Sequence, residues 1–489
     1  MPHPSHAPRT PERRAVIVGG GLVGSLAACY LAKRGWRVDL YEKRPDSRKP
    51  DNRDSAEHRS INLAISERGL SALRRLDPAL EARVKDLVIP MYGRMIHALD
   101  GQQTSHRYDV FGKHINSIGR GALIQLLLDE ADRCPGVALH FGHEFVQADF
   151  DSGQAVFRDA ARGGEHVTVG ADLIVGADGA FSQVRQRMMA KGMMNYSQTY
   201  IEHGYCEFSM PPRRGDFALD PNHLHIWPRG SFMLIALPNP DWTFTCTLFM
   251  PWDKFGALAA DGDIVSFFRT HFPDALQLMG EDRVHAEYTA NPKGSLMYLK
   301  CSPHTHSHRA VLLGDAAHAM VPFYGQGMNC GFEDVEALDR IMIRILRAGG
   351  DLGSSTAALT DKQLRQALDE YSAARAEDTS AIVDLALDNY VEMRAKVADY
   401  AYVTRKYLEG LLHWLFPRQI IPLYTMVSFT SIPYTQVVAR WNRQTLWLHR
   451  SITAAAIAAA VGGGVLLARL LGGPPALLRA VARVGARAP

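Results

Sequence analysis

Residues Ala15 to Val18 form a short apolar run that breaks directly into Gly19-Gly20-Gly21-Leu22-Val23-Gly24 and continues as a helical stretch, Ser25 to Arg34. Gly35 ends that helix, and Arg37 to Tyr41 is a second β-type run closing on Glu42. Strand, glycine turn, helix, strand and acid in this order are the opening βαβ unit of a dinucleotide-binding sheet. The three glycines of the fingerprint act differently. Gly19 allows the tight turn, Gly21 lets the backbone approach a pyrophosphate, and Gly24 lets the helix sit close on the strand. The helix N-terminus adds N–H groups and a positive dipole end. Glu42, 18 residues beyond Gly24, sits where an acid accepts hydrogen bonds from ribose hydroxyls.

Which dinucleotide is meant depends on residues much further along. Ala310 to Leu313 is an apolar strand that runs into Gly314-Asp315 and a helix through Ala319, delivering an acid to the mouth of that helix. An acid there suits the hydroxyls of an extended ribityl chain, which FAD carries and NAD lacks. The glycine-bearing turn that follows, Pro322 to Asn329, opens another helix whose N-terminal N–H groups can steady negative charge on a reduced flavin ring. Both pieces, in this order after the fingerprint, predict FAD.

Alternating residues from Val137 to Phe157 and the apolar run Ala171 to Gly176, ending in Asp178-Gly179, read as strands. Tyr200 to Met250 is a series of strands with turn signals at Pro211-Pro212, Pro228-Arg229-Gly230 and Pro238-Asn239-Pro240. Asp361 to Tyr407 has an amphipathic helical pattern and leads into an aromatic, Pro-bounded stretch, Trp414 to Trp441. The expected fold class is α/β: a Rossmann-like FAD-binding domain with an inserted, mostly antiparallel β-sheet substrate domain and a C-terminal helical region. The expected segments are a disordered N-terminus at 1–14 and FAD-binding parts at 15–110, 111–195 and 310–350, the first of them carrying a substrate-contacting strand. A substrate sheet at 196–309, a helical region at 351–445 and an apolar tail at 446–489 complete the chain.

With 489 residues and 47% hydrophobic content the chain has ample material for a core. Its net charge of +3 comes from interspersed residues, which argues against a nucleic-acid partner. Six dispersed cysteines without C-x-x-C fit a reducing compartment, and the polar, Pro-rich start lacks an apolar signal core, so a cytoplasmic-side address is expected. Ile452 to Ala468 is an uncharged run of 17 residues, preceded by Arg440, Arg443 and Arg450 and followed by Arg469. It shows no polar face and is expected to be a membrane helix or interfacial anchor, although Gly462 to Gly464 weaken helix formation there. The alternative is an Ala-rich helix packed on the body.

Gly19 to Gly24, Asp178-Gly179 and Gly314-Asp315 come in the order of the three signatures of class A flavoprotein aromatic hydroxylases, which resemble p-hydroxybenzoate hydroxylase. Beyond them, the segments Arg59 to Ala64, Ile89 to His97, Leu224 to Arg229, Tyr390 to Arg394 and Ile421 to Val427 resemble the kynurenine 3-monooxygenase family, and the resemblance runs from about Ala15 to Trp441. It implies hydroxylation of L-kynurenine to 3-hydroxy-L-kynurenine with O₂ and NADPH, by way of a flavin hydroperoxide, in tryptophan degradation toward pyridine nucleotides. It further implies that FAD is held by Gly19, Gly21, Val23, Gly24, Tyr41, Glu42, Lys43, Arg44, Ala64, Arg120, the backbone of Phe145, Asp178, Asp315, Gly327, Met328 and Asn329. For the substrate it implies a carboxylate clamp of Arg94 and Tyr108 with Asn389, Tyr424 and Glu392, and a ring slot of Leu224, Ile226, Phe249 and Phe323. Arg suits such a clamp because its planar fork binds a carboxylate bidentately. Tyr324 stands where relatives carry Phe or His, and Phe145 where they carry an aliphatic residue.

Cys301, His304, His306 and His308 match no common zinc spacing; they are expected to be solvated surface, with no metal. Two other readings share the scaffold: hydroxylation of a different aromatic acid, and a membrane-attached flavin dehydrogenase passing electrons to quinone.

Overall fold

The computed structural model describes residues 13–52, 62–261, 263–348, 359–395 and 400–470. Most of the segment expected to be disordered (1–12), Arg59 with Ser60 and Ile61, the boundary near residue 350 and the tail beyond residue 470 lie outside the described residues. The chain divides into two compact units, Met1–Thr435 and Gln436–Pro489.

In the first unit the fingerprint opens a six-stranded sheet in the order Thr305–His306, Ala310–Leu312, Leu173–Gly176, Arg14–Val18, Arg37–Glu42, Val137–Phe141. All neighbours are parallel except the first pair. Val16, Ile17, Leu40, Ile174 and Val311 are completely buried, as expected of uninterrupted apolar strands covered on both faces. The Leu22–Lys33 helix returns the chain from the first strand to the second.

The middle of the chain builds a seven-stranded sheet ordered Gly294–Ser302, Asn195–Met210, Phe244–Pro251, Met233–Pro238, His223–Pro228, Gly93–His97, Gln103–Arg107. Only the His223–Pro228 and Gly93–His97 neighbours run parallel. Two of these strands thus come from the first FAD-binding segment, which places Arg94 in the substrate sheet. Alternation sorts the side chains: Leu234, Ala236, Leu248 and Met250 pack with Phe268 and Phe272 from the helices behind, while Ile235, Leu237 and Phe249 face a cavity on the other side.

Helices Gly327–Ala348, Asp361–Ala395, Tyr400–Leu415 and Leu423–Phe429 follow. The amphipathic stretch expected from 361 to 407 falls within the helices Asp361–Ala395 and Tyr400–Leu415. In the second unit, the helix Tyr434–Leu470 runs through Gly462 to Gly464 without a break. It contains an 18-residue window of mean hydropathy 1.6, none of it buried, and is long and apolar enough to cross a membrane.

Phe268 is fully buried against the back of the substrate sheet. Phe268→Ala is expected to cost about 3–5 kcal/mol, read as a lowered urea midpoint.

Candidate active site

A cavity of about 660 Å³ starts at the glycine turn and ends among aromatic residues of the substrate sheet and C-terminal helices. At its start, backbone crowding dictates residue identity. Gly19 has φ +106°, and a Cβ there would lie 2.4 Å from the Ala177 carbonyl oxygen; a Cβ on Gly24 would lie 2.0 Å from the Gly19 oxygen. A Cβ on Gly21 would meet no atom within 4 Å and would project into open space instead. That is a cradle for a group approaching the helix N-terminus closely, and it fits a pyrophosphate. Glu42 is pinned by Gly20 N, which donates to one carboxylate oxygen at 2.7 Å, and by Arg44 N, which donates to the other at 3.0 Å.

Val23, Tyr41, Lys43, Arg44, Ala64, Arg120, Phe145, Asp178, Asp315, Gly327 and Met328 all line the same cavity. Asp178 accepts from Gln183 N at 2.7 Å and Val184 N at 3.2 Å with one oxygen, capping the Gln183–Lys191 helix. Its other oxygen is buried without a partner, and burial pushes the carboxyl above its usual range. An orphaned buried acceptor on the wall suits a hydroxyl-bearing cofactor.

At the far end Arg94 is 3% exposed. It donates to Glu392 at 2.9 Å and to the Asn389 side-chain Oδ1 at 3.4 Å, and its guanidinium lies 5.2 Å from the Tyr424 ring centroid. Tyr108, Tyr424 and Tyr324 form one stack, with ring centroids 4.7 Å and 5.5 Å apart. Tyr324 therefore extends an aromatic wall. The Tyr108 hydroxyl is buried and makes no well-aligned hydrogen bond in the protein, although it lies beside Tyr424 and Arg94. Burial and Tyr424, opposed by Arg94, hold it well above its usual pKa, so it stays a neutral donor. Phe323 stacks on Tyr390 at 3.9 Å and meets Phe249 edge-on at 4.9 Å.

Five implied contacts fall behind the cavity wall, Gly24 among them, where it packs against the Gly19 carbonyl. Ile226 is completely buried in the sheet and does not line the cavity. Asn389 and Glu392 sit behind Arg94, and the Asn389 amide also donates to the Phe323 carbonyl at 2.7 Å, so they orient the Arg94 guanidinium. The Asn329 side chain is consumed by the backbone of Ala64, Gly325 and Ser66 and braces the wall. Tyr205, Ile235, Leu237 and Met393 also line the cavity. Strand alternation is enough to find Ile235, Leu237 and Tyr205, which alternates with buried Cys206 and Phe208, but nothing local marks Met393.

His304 is completely buried, which overturns the expectation of a solvated loop: the short Thr305–His306 strand folds this segment onto the parallel sheet, and Ser372 Oγ accepts from His304 N at 2.9 Å. His318, Cys330 and Asp334 bring metal-type donor atoms within 4.8 Å of one another. Arg375 donates to Asp334 at 2.8 Å and contacts the Cys330 sulfur at 3.2 Å, so a fixed cation already serves that cluster.

Gly24→Val is expected to abolish retained flavin, measured as the visible absorbance of the purified protein, because its Cβ has no room against the turn. Burial and the neighbouring His318 push His304 down to about 3. The unfolded imidazole takes up a proton near pH 6.5 and the folded one only near 3, so stability is complete above that upper value and falls with acidification, by about 1.4 kcal/mol per pH unit in between. His304→Leu is expected to flatten this dependence when urea midpoints at neutral and mildly acidic pH are compared.

A family model described as an FAD binding domain matches residues 12–386. The chain is 43% identical over 439 residues to a kynurenine 3-monooxygenase of Drosophila willistoni, covering 89% of this chain and 92% of the relative. It is 45% identical over 435 residues to that of Candida albicans, covering 88% and 91%, and 42% identical over 428 residues to that of Sus scrofa, covering 88% and 86%. Among solved structures, 2-methyl-3-hydroxypyridine-5-carboxylic acid oxygenase aligns with a TM-score of 0.61 at 21% identity, covering 79% of this chain and 94% of its own. A p-nitrophenol 4-monooxygenase from Pseudomonas putida aligns at 0.59 and 18% identity, covering 82% and 93%. These two share the fold, and the sequence relatives add the rest: the chain belongs to the kynurenine 3-monooxygenase family of FAD-binding monooxygenases.

Proposed function

We propose that this chain is an FAD-dependent monooxygenase that hydroxylates L-kynurenine to 3-hydroxy-L-kynurenine, with NADPH as electron donor and O₂ as oxygen source. Gly19, Gly21, Val23 and Arg120 hold the pyrophosphate region of FAD. Glu42 with Tyr41, Lys43 and Arg44, and the Phe145 backbone, take the adenosine end. Asp315 and Asp178 bond hydroxyls of the cofactor, and Ala64, Gly327 and Met328 border its ring. Bound FAD supplies hydride acceptance from NADPH and the activation of O₂, which no side chain offers.

Kynurenine is an amino acid joined to an aminophenyl ketone. Arg94 receives its carboxylate through the planar guanidinium, with the Tyr108 hydroxyl as a neutral donor beside it. Glu392 and Asn389 keep that guanidinium aimed, and Asn389 ties the clamp to the wall through the Phe323 carbonyl. Leu224, Phe249 and Phe323, with Ile235 and Met393, make an apolar slot for the ring and exclude water from the reacting carbon. That carbon lies ortho to the amine, which makes it electron-rich.

The observation that carries this reading is the buried Arg94 set against a tyrosine stack, in the same cavity whose other end is the glycine cradle. Arg94→Met is expected to lower kcat/KM for kynurenine roughly 100-fold or more, mainly through KM, while FAD stays bound. The decisive assay follows NADPH and NADH oxidation with and without L-kynurenine and looks for ¹⁸O from O₂ in the product. An unlabelled product, or Arg94→Met with unchanged efficiency, would overturn the reading.

The tail attaches the protein to a bilayer. Supporting this are the unburied apolar window in the second unit and, in the first, an exposed row at helical spacing on Tyr400–Leu415: Tyr407, Leu408, Leu411, Trp414 and Leu415. The full chain is expected to float with liposomes and stay with them at high salt, whereas recovery entirely in the unbound fraction would refute attachment.

A further inference from the structure

A buried chain of ion pairs runs from the flavin-side turn to the helix carrying Tyr424. Asp334, completely buried, accepts from Gly314 N at 2.9 Å and from His318 Nε2 at 2.5 Å with one oxygen, and from Arg375 Nε at 2.8 Å with the other. Arg375 also donates to Glu333 and to Asp378, each at 3.0 Å. The second oxygen of Glu333 pairs with Arg68 at 2.5 Å. Arg68, whose side chain is wholly buried, spends its remaining nitrogens on backbone: Nε donates to the Val427 carbonyl at 2.8 Å and another nitrogen to the Ile432 carbonyl.

The end of this chain is informative. Val427 lies in the last turn of the Leu423–Phe429 helix, where carbonyls have no donor within the helix. Arg68 caps that end and sets a fixed cation at its negative dipole terminus. Tyr424 stands one turn earlier on the same helix. At the other end, Gly314 N belongs to the turn that presents Asp315 to the cavity. Buried ion pairs commonly add little stability over apolar residues of the same size, but they tolerate little sliding, because displacement strands a desolvated charge. An arginine fork bonded at three points fixes orientation as well as distance.

We propose that Arg68, Glu333, Arg375 and Asp334 are positioning residues for the hydroxylation: they hold the Gly314–Asp315 turn and the Tyr424 helix in one register, so that the substrate ring is presented to the flavin at a fixed offset. This rests on the reading that Arg94 and Tyr108, packed against the Tyr424 ring, hold kynurenine and that Asp315 holds FAD.

The test uses the full-length holoenzyme and three readouts: FAD content, KM for kynurenine, and the fraction of NADPH oxidation that yields hydroxylated product. Arg68→Lys keeps the charge but cannot reach all three acceptors. It is expected to retain FAD, raise KM roughly two- to thirtyfold and lower the coupled fraction, with the surplus appearing as hydrogen peroxide. Glu333→Gln, nearly isosteric, should act in the same direction and carries the test alone if Arg68→Lys does not fold. Arg34→Lys, which disturbs the Arg34–Asp339 pair on the same Gly327–Ala348 helix, is the control for mere structural damage and should leave KM and coupling alone. Activity lost only in proportion to FAD, with KM and coupling unchanged in both test variants, would overturn the proposal. Arg94→Met separates the two levels. If it raises KM while Arg68→Lys and Glu333→Gln change neither KM nor coupling, positioning fails alone; if it leaves KM unchanged, the substrate reading itself fails and takes the proposal with it.

Discussion

The cavity exists because three backbone segments meet where no side chain fits. The Gly19 turn, the start of the Leu22–Lys33 helix at Gly24 and the Ala177 carbonyl after the Leu173–Gly176 strand crowd to within the volume of a single methyl group. This contact locks the helix N-terminus to two adjacent parallel strands and leaves its N–H groups facing open space at Gly21. Asp178 follows Ala177 directly and Asp315 follows the next strand of the same sheet, so both acids take their places on the wall from that arrangement.

A second requirement is imposed by Arg94. A guanidinium 3% exposed must be compensated, and the chain meets that need from far away: Glu392 and Asn389 reach it from the Asp361–Ala395 helix, and the Tyr424 ring flanks it from Leu423–Phe429. The Arg94 cluster is therefore assembled across the sheet and the C-terminal helices. Those helices are anchored in turn by the ion chain through Arg375 and Arg68, which joins the Leu423–Phe429 helix to the Gly314 turn.

Much of the nucleotide side was legible in the sequence because its determinants are local. A positive φ at Gly19 and an apolar strand ending in an acid are written within a few residues, and periodicity marked the substrate strands that carry Leu224 and Phe249. Errors arose where tertiary contacts decide exposure. His304 looked solvated because its neighbours are polar, yet the Thr305–His306 strand carries it inside. Nor does any local pattern announce that the Asn329 amide ties Ala64 to Gly325. Gly462 to Gly464 suggested a weak point in a helix that continues through them.

By itself the sequence determined the βαβ opening, the choice of FAD over NAD and the apolar character of the tail, since each depends on steric or hydrophobic properties of contiguous residues. Only the tertiary structure decided that Glu392 and Asn389 stand behind Arg94 rather than on the cavity wall, that Ile226 is covered while Ile235 faces the cavity, and that Arg68 caps the helix of Tyr424 from more than 350 positions away. Those outcomes are set by which buried charge finds which partner across the fold, and the spacing of residues along a chain holds no record of that.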